Sequence, residues 1–179
     1  MPSLKEFYFV GSSVGKKIIS LCILFAGIIG ALIVLLGFIQ TKSQIYYVSG
    51  ASLLLLTAIY YKLTYFIALE IILLSGYGAE LLGIGPILQI VLPSLLTLQM
   101  LVYYLLSGQL KNVFRLFGVI GIALLSIGFS FKNNWIFLFG SLAVGLYALD
   151  NVYRGKYVAL LWAVLNLFFA FAMALAILL

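Results

Sequence analysis

The stretch FAGIIGALIVLLGF at Phe25–Phe38 returns 91 residues later as LFGVIGIALLSIGF at Leu116–Phe129. Gly27, Ile29, Gly30, Gly37 and Phe38 fall on Gly118, Ile120, Gly121, Gly128 and Phe129, and Ile45 falls on Ile136. After a one-residue slip the match resumes at an offset of 92, where Ser49, Ala51, Leu54, Tyr61, Tyr65, Leu69 and Leu73 meet Ser141, Ala143, Leu146, Tyr153, Tyr157, Leu161 and Leu165, with Lys62 on Arg154. Coincident leucines carry little weight in so apolar a chain. The glycine spacing and the Tyr-Lys/Arg-x-x-Tyr turn carry the signal, and self-similarity at a fixed offset marks an internal duplication.

Around these two stretches the composition is that of an integral membrane protein. Of 179 residues, 66% are hydrophobic and 8% charged, with a mean hydropathy of +1.29. Charges and helix breakers divide the apolar text into seven spans, from about Lys17 to Phe38, Ile45 to Tyr60, Thr64 to Leu82, Pro86 to Leu106, Val113 to Phe131, Trp135 to Val152 and Tyr157 to Leu179. At about 20 residues each they use roughly 140 residues and leave about 40 for termini and loops, so no soluble domain is expected. Hydrocarbon offers no hydrogen-bond partners, so each span is expected to be helical. The apolar run after Lys16 and Lys17 outlasts a signal-peptide core and ends in no small-residue cleavage pattern, which predicts a retained helix.

The predicted fold is therefore all-α, seven transmembrane helices arranged as two parallel three-helix repeats joined by a linker helix, three plus one plus three. Residues 1–15 form an N-terminal interfacial segment, 16–83 the first repeat, 86–108 the linker and 112–179 the second repeat. Ser3-Leu4-Lys5-Glu6 fits a capping box for a short interfacial helix, the alternative being a frayed, positively charged terminus. Equivalent helices lie an even number of spans apart and so cross the membrane in the same direction. The odd linker is what permits that.

Lys5, Lys16, Lys17, Lys62, Lys111, Arg115, Arg154 and Lys156 fall on the side of the N-terminus, against Lys42 and Lys132 on the other. The bias places the N-terminus in the cytoplasm and the C-terminus outside. A bacterial inner membrane is the expectation from compactness. The net charge of +6 is then a property of topology, and nucleic acid is not an expected partner. The lipid bilayer is one, and a homo-oligomer is left open. With no His and only Cys22, His-based haem, zinc and triad sites and an internal disulfide are excluded. No nucleophile with a base and no metal cluster is readable, so neither an enzyme nor a cofactor is expected.

Ionisable groups at membrane depth are costly and point to function. Glu70 lies six residues into the third span, about 9 Å from the inner edge at ~1.5 Å per residue. It reads either as a proton-coupling or substrate-binding carboxylate or as a protonated structural Glu bonded to a neighbouring helix. At an offset of 92 it meets Trp162, and Leu74 meets Asn166. Positions four apart share a helix face, so the two faces can look at each other across the repeat axis. Trp162 offers a surface to stack a flat ring, or simply packs. Asn166 offers hydrogen bonds to a substrate, or glues helices. Asp150, Asn151 and Arg154 close the sixth span as an interfacial ion pair or as an inner gate. Gly27 with Gly30, and Gly118 with Gly121, allow backbones to approach closely within each bundle.

This layout resembles the SWEET fold, shared by sugar-transporting SWEETs, PQ-loop proteins and PnuC-type vitamin transporters, over nearly the whole chain. Asn134-Trp135 at the start of the sixth span and Val152-Tyr153 before the seventh echo PnuC-type proteins. The chain departs from the pattern in having no Pro-Gln pair, no proline inside either repeat and no Trp cluster. The resemblance implies transport of a small neutral or weakly charged metabolite by alternating access between the two bundles, with Asn166 as a substrate hydrogen-bonder. The alternative is a non-transporting scaffold, receptor or assembly subunit, in keeping with the sparse polar lining. A hydrated cavity reaching Glu70 and Asn166 favours the first, and a sealed interior the second.

Overall fold

The structure, a computed structural model, describes residues 4–131 and 133–179, and side chains from 15 onward apart from those of 111, 129, 130 and 132. It holds seven α-helices: α1 (Leu4–Gly37), α2 (Ser43–Tyr60), α3 (Thr64–Leu81), α4 (Pro86–Leu106), α5 (Val113–Phe131), α6 (Asn134–Tyr153) and α7 (Leu160–Leu178). Short 3-10 turns precede α5 and α7, and no strand occurs among the described residues. Among the described residues five segments are long and apolar enough to cross a membrane, Gly15–Gly37, Thr64–Leu81, Pro86–Leu106, Asn134–Tyr153 and Tyr157–Leu178; α2 is not among them, and the apolar part of α5, Val113–Gly128, is shorter. The chain is an integral membrane protein.

Local chemistry explains the helix ends. Gly83 and Gly108 follow α3 and α4 at a φ of 65°, a left-handed conformation that costs glycine little. Pro86 opens α4, where its missing N–H is no loss. Asn133 caps α6 by accepting from the backbone N–H groups of Trp135 (3.0 Å) and Ile136 (3.3 Å). At the N-terminus one 34-residue helix runs from Leu4 to Gly37 with no break between an interfacial segment and the first span. The capping box expected at Ser3–Glu6 lies outside the described side chains.

Consecutive helices pack side by side, α7 returns to α1, and α3 touches α5 directly while α4 packs across both. Two crossings in this ring match. A methyl at Gly30 would sit 2.8 Å from the Gly50 carbonyl oxygen and 3.3 Å from the Leu54 nitrogen, and one at Gly121 would sit 2.9 Å from the Val144 nitrogen and 3.1 Å from the Gly140 carbonyl oxygen. Backbone meets backbone at both places, which only a missing side chain allows. One turn away, Gly27 faces Thr57 on α2 and Leu161 on α7, and Gly118 faces Tyr147 on α6 and Tyr65 on α3. Thus α1 contacts its neighbour α2 and the distant α7, just as α5 contacts α6 and α3.

These contacts reset the register read from sequence. Gly50 pairs with Gly140, Leu54 with Val144 and Thr57 with Tyr147, an offset of 90 where the sequence match gave 92. At the following turns Lys62 (φ 55°) corresponds to Gly155 (φ 85°), and the Leu63 N–H to Ala58 C=O bond to that from Lys156 to Asn151, both 2.9 Å. The offset there is 93. Helix α6 therefore runs three residues further before turning, close to one helical turn.

Candidate functional site

The ring encloses a cavity of about 340 Å³ that runs from Gln40, Ser43 and Gln44, at the α1–α2 connection, to Glu70 and Asn166, about two turns into α3 and α7. Its walls come from α1, α2, α3, α5, α6 and α7, with nothing from α4. Glu70 is 2% exposed. The indole Nε1 of Trp162 donates to its Oε1 at 2.7 Å, and the Asn166 amide Nδ2 donates to the Trp162 carbonyl at 2.9 Å. These three residues, each expected from sequence to serve the site, form one hydrogen-bonded unit that ties α3 to α7.

Their roles differ. Trp162 is fully buried and stacks on Phe66, with ring centroids 4.5 Å apart, and it does not border the cavity. It holds the carboxyl group in place where the sequence suggested a platform for a ligand ring. Glu70 and Asn166 do border the cavity. The Glu70 oxygen that Trp162 does not bond, the Asn166 carbonyl oxygen and the Ser141 hydroxyl have no protein partner among the described residues, and none is sealed from the cavity.

Sequence reasoning missed several lining groups. Ser141 was visible only as a repeat match. Tyr47 and Tyr77, with rings 5.0 Å apart, form part of the wall, as do Phe38 and Phe169, which meet edge to face at 6.0 Å. Nearer the mouth, the Gln44 amide donates to Glu80 at 2.7 Å. Among the described residues no Lys or Arg lines the cavity, and no group of three His, Cys, Asp or Glu side chains is placed to hold a metal.

Beneath Glu70 lies an aromatic layer. Besides the Phe66–Trp162 stack, Tyr65 and Tyr147 are 4.0 Å apart, and Tyr65 donates its hydroxyl hydrogen to the Gly118 carbonyl at 2.7 Å. The layer joins α3, α5, α6 and α7. On its far side is a second cavity of about 130 Å³, lined by Lys62, Arg115, Lys156, Gln109, Tyr104 and Asn151, among others. Arg115 bonds Gln109 and sits 5.6 Å from the centre of the Tyr104 ring. Of the three residues considered as an inner gate, only Asn151 borders this cavity, with its amide given to the Tyr147 carbonyl at 2.9 Å. Asp150 and Arg154 form a 2.7 Å ion pair with an exposed guanidinium, whose pKa is raised by the adjacent carboxylate.

No protein-family model, no curated protein and no solved structure matches this chain. Chemically, the site can accept hydrogen bonds and hold or exchange a proton or a cation at Glu70.

Proposed function

We propose that the chain is a transporter of a small metabolite that works by alternating access between two three-helix units, α1–α3 and α5–α7, joined by α4 in a three-one-three, SWEET-like arrangement. In this reading all seven helices cross the membrane, the N-terminus is cytoplasmic, and the Lys62 end of the bundle faces the inside of a bacterial cell. The observation that carries the proposal is the cavity entered from one end of the bundle, which stops at a membrane-depth carboxyl and carboxamide and is separated by one aromatic layer from a second cavity at the opposite end. An alternating-access protein needs such an arrangement, a central site reachable from one side at a time. The matching contacts of Gly27 with Gly118 and Gly30 with Gly121 support two related units that can rock against each other.

The second reading, a membrane scaffold or assembly subunit, draws support from α4. This helix stays outside the cavity and exposes Ser94 and Gln99 on a face otherwise suited to lipid.

Uptake separates the two. Sealed proteoliposomes are given a mixed pool of small metabolites and the contents read by mass spectrometry, for the intact protein, Glu70→Gln and Asn166→Ala. Selective accumulation that either variant loses, in protein verified to be folded and inserted, supports transport at this site. Accumulation no greater than in empty liposomes across a broad pool moves the weight to the scaffold.

A further inference from the structure

We propose that the ligand of the larger cavity is a small organic cation, an alkyl- or arylalkyl-ammonium, whose charge sits against Glu70 while its body rests between aromatic faces. The inference rests on the reading of this cavity as the ligand site and names the class of ligand. Its first support is a local reversal of charge. The chain carries a net charge of +6, yet two of its four acidic residues, Glu70 and Glu80, line this cavity, and no Lys or Arg does among the described residues.

The second support is the kind of hydrogen bonding left open. The Asn166 amide nitrogen gives one of its two hydrogens to the Trp162 carbonyl, and its carbonyl oxygen is left as an acceptor. Glu70 receives one donor, the Trp162 indole, and keeps its other oxygen available. With the Ser141 hydroxyl beside them, which can accept or donate, the floor presents two oxygen acceptors at Glu70 and Asn166. An ammonium group brings the complementary donors. A ligand rich in acceptors, such as a phosphate or carboxylate, meets like charge.

The third support is the balance of charge at Glu70. A buried carboxylate served by one neutral donor is costly to leave ionised, and a proton or a ligand cation is what removes the cost. The groups around it supply neither. Its own helix brings Tyr77 and Glu80, α2 brings Tyr47, and among the described residues the cavity faces of α1, α5, α6 and α7 bring no titratable side chain. Below the floor stand Tyr65, Tyr147 on α6 and, toward the Lys62 end, Tyr104 on α4. Proton and organic cation therefore compete for the same oxygens, and each cation that binds to the protonated site releases one proton to the solution. Tyr47, Tyr77, Phe38 and Phe169 add ring faces of the kind that attract ammonium groups. At about 340 Å³ the space matches a small organic molecule and is far too large to be filled by a bare metal ion.

The test is binding to the intact purified protein in detergent, so that it does not depend on transport. The probes are choline and phenethylammonium, their uncharged counterparts 3,3-dimethylbutanol and 2-phenylethanol, and sodium and potassium chloride as ionic controls. Calorimetry in buffers of different ionisation heat also counts protons released. At least one cation is expected to bind about tenfold or more tightly than its uncharged counterpart. Its affinity rises with pH while Glu70 remains protonated in the free protein. Glu70→Gln abolishes the preference and the proton release, and Glu70→Asp, which keeps the charge, retains the preference at lower affinity. Equal or better binding of the uncharged partners, undiminished cation binding by folded Glu70→Gln, alkali ions as the sole ligands, or no binding of either cation each overturns the proposal. Cations that bind yet never enter proteoliposomes would leave the cation site standing and sink the transport reading. Glu70-dependent uptake of neutral metabolites alone would do the reverse.

Discussion

The cavity at the Gln44 end and the cavity at the Lys62 end are separated by one layer of aromatic side chains and are opposite in charge. Among the described residues the first holds Glu70 and Glu80 without a Lys or Arg, and the second holds Lys62, Arg115 and Lys156 without an acidic residue. Both draw on α3, α5 and α6, to which the first adds α1, α2 and α7 and the second adds α4, so the shared helices present opposite charge at their two ends. The basic residues sit at helix ends and turns, and in the proposed orientation, with this end in the cytoplasm, the bias of such residues to the inner side accounts for their presence. Glu70 sits about two turns into α3, away from the helix end, where orientation gains nothing from it. A carboxyl group with no topological use, placed at a site where it is costly, carries more functional weight than the whole basic end.

The comparison depends on the layer, and removing part of the layer has the largest expected effect. Trp162→Ala deletes a fully buried side chain that packs on Phe66 and takes away the donor to Glu70. A loss of about 3–5 kcal/mol is expected from the packing term. Trp162→Phe keeps a ring and loses the donor, and about 1–3 kcal/mol is expected. Both are read as thermal unfolding in detergent. Equal losses for the two variants would mean that the bond to Glu70 dominates and packing is minor. A further reading uses a protein with Cys22→Ser and Lys156→Cys, in which an impermeant thiol reagent supplied from the Gln44 side is expected to label the new cysteine only when Trp162 is also Ala. Labelling with Trp162 intact would show that the layer does not close the path.

The next effect sharpens the comparison by testing the two halves that make both ends. Gly30→Val places its branched carbon against the Gly50 carbonyl, and Gly121→Val against the Val144 nitrogen. Each is expected to lower stability by about 1–3 kcal/mol through overpacking. Similar shifts in melting temperature would agree with equivalent crossings. A large loss at one and none at the other would break the equivalence on which the rocking of two units rests.

How much of this could be read from residue order follows from how rare each signal is. Membrane class and helix ends were legible because glycines, prolines and charges punctuate an otherwise apolar text. Gly27, Gly30, Gly118 and Gly121 were legible because close backbone approach admits almost nothing else. The register of α2 against α6 was not, since the leucines on these helices match at several offsets and the Tyr61-Lys62 and Tyr153-Arg154 pairs drew the alignment to 92. The extra turn of α6 is visible only in the backbone bonds. Glu70 and Asn166 stood out as polar groups in apolar helices. Tyr47 and Tyr77 did not, because the chain has 12 Tyr and most read as anchors at the membrane surface. Whether Trp162 faced a ligand or held Glu70 depended on its rotation about α7, which a sequence match of two helices leaves open.

The smallest expected effect concerns the one ion pair at the basic end that resembles the buried pair in form. Asp150 and Arg154 are four residues apart on the last turn of α6 and meet at 2.7 Å, the same distance at which Trp162 meets Glu70. Distance is not what separates them. The Arg154 side chain is about half exposed at the end of α6, so water can take up much of the contact that its removal breaks, although Asp150 is less accessible. Arg154→Gln is therefore expected to leave the melting temperature and any cation binding unchanged. The raised pKa of the guanidinium, caused by the neighbouring carboxylate, has no consequence at physiological pH, where Arg154 is charged with or without Asp150. A measurable drop in uptake for Arg154→Gln, with binding intact, would extend the inner barrier from the aromatic layer to this surface pair. The two ends would then differ in how they open as well as in charge.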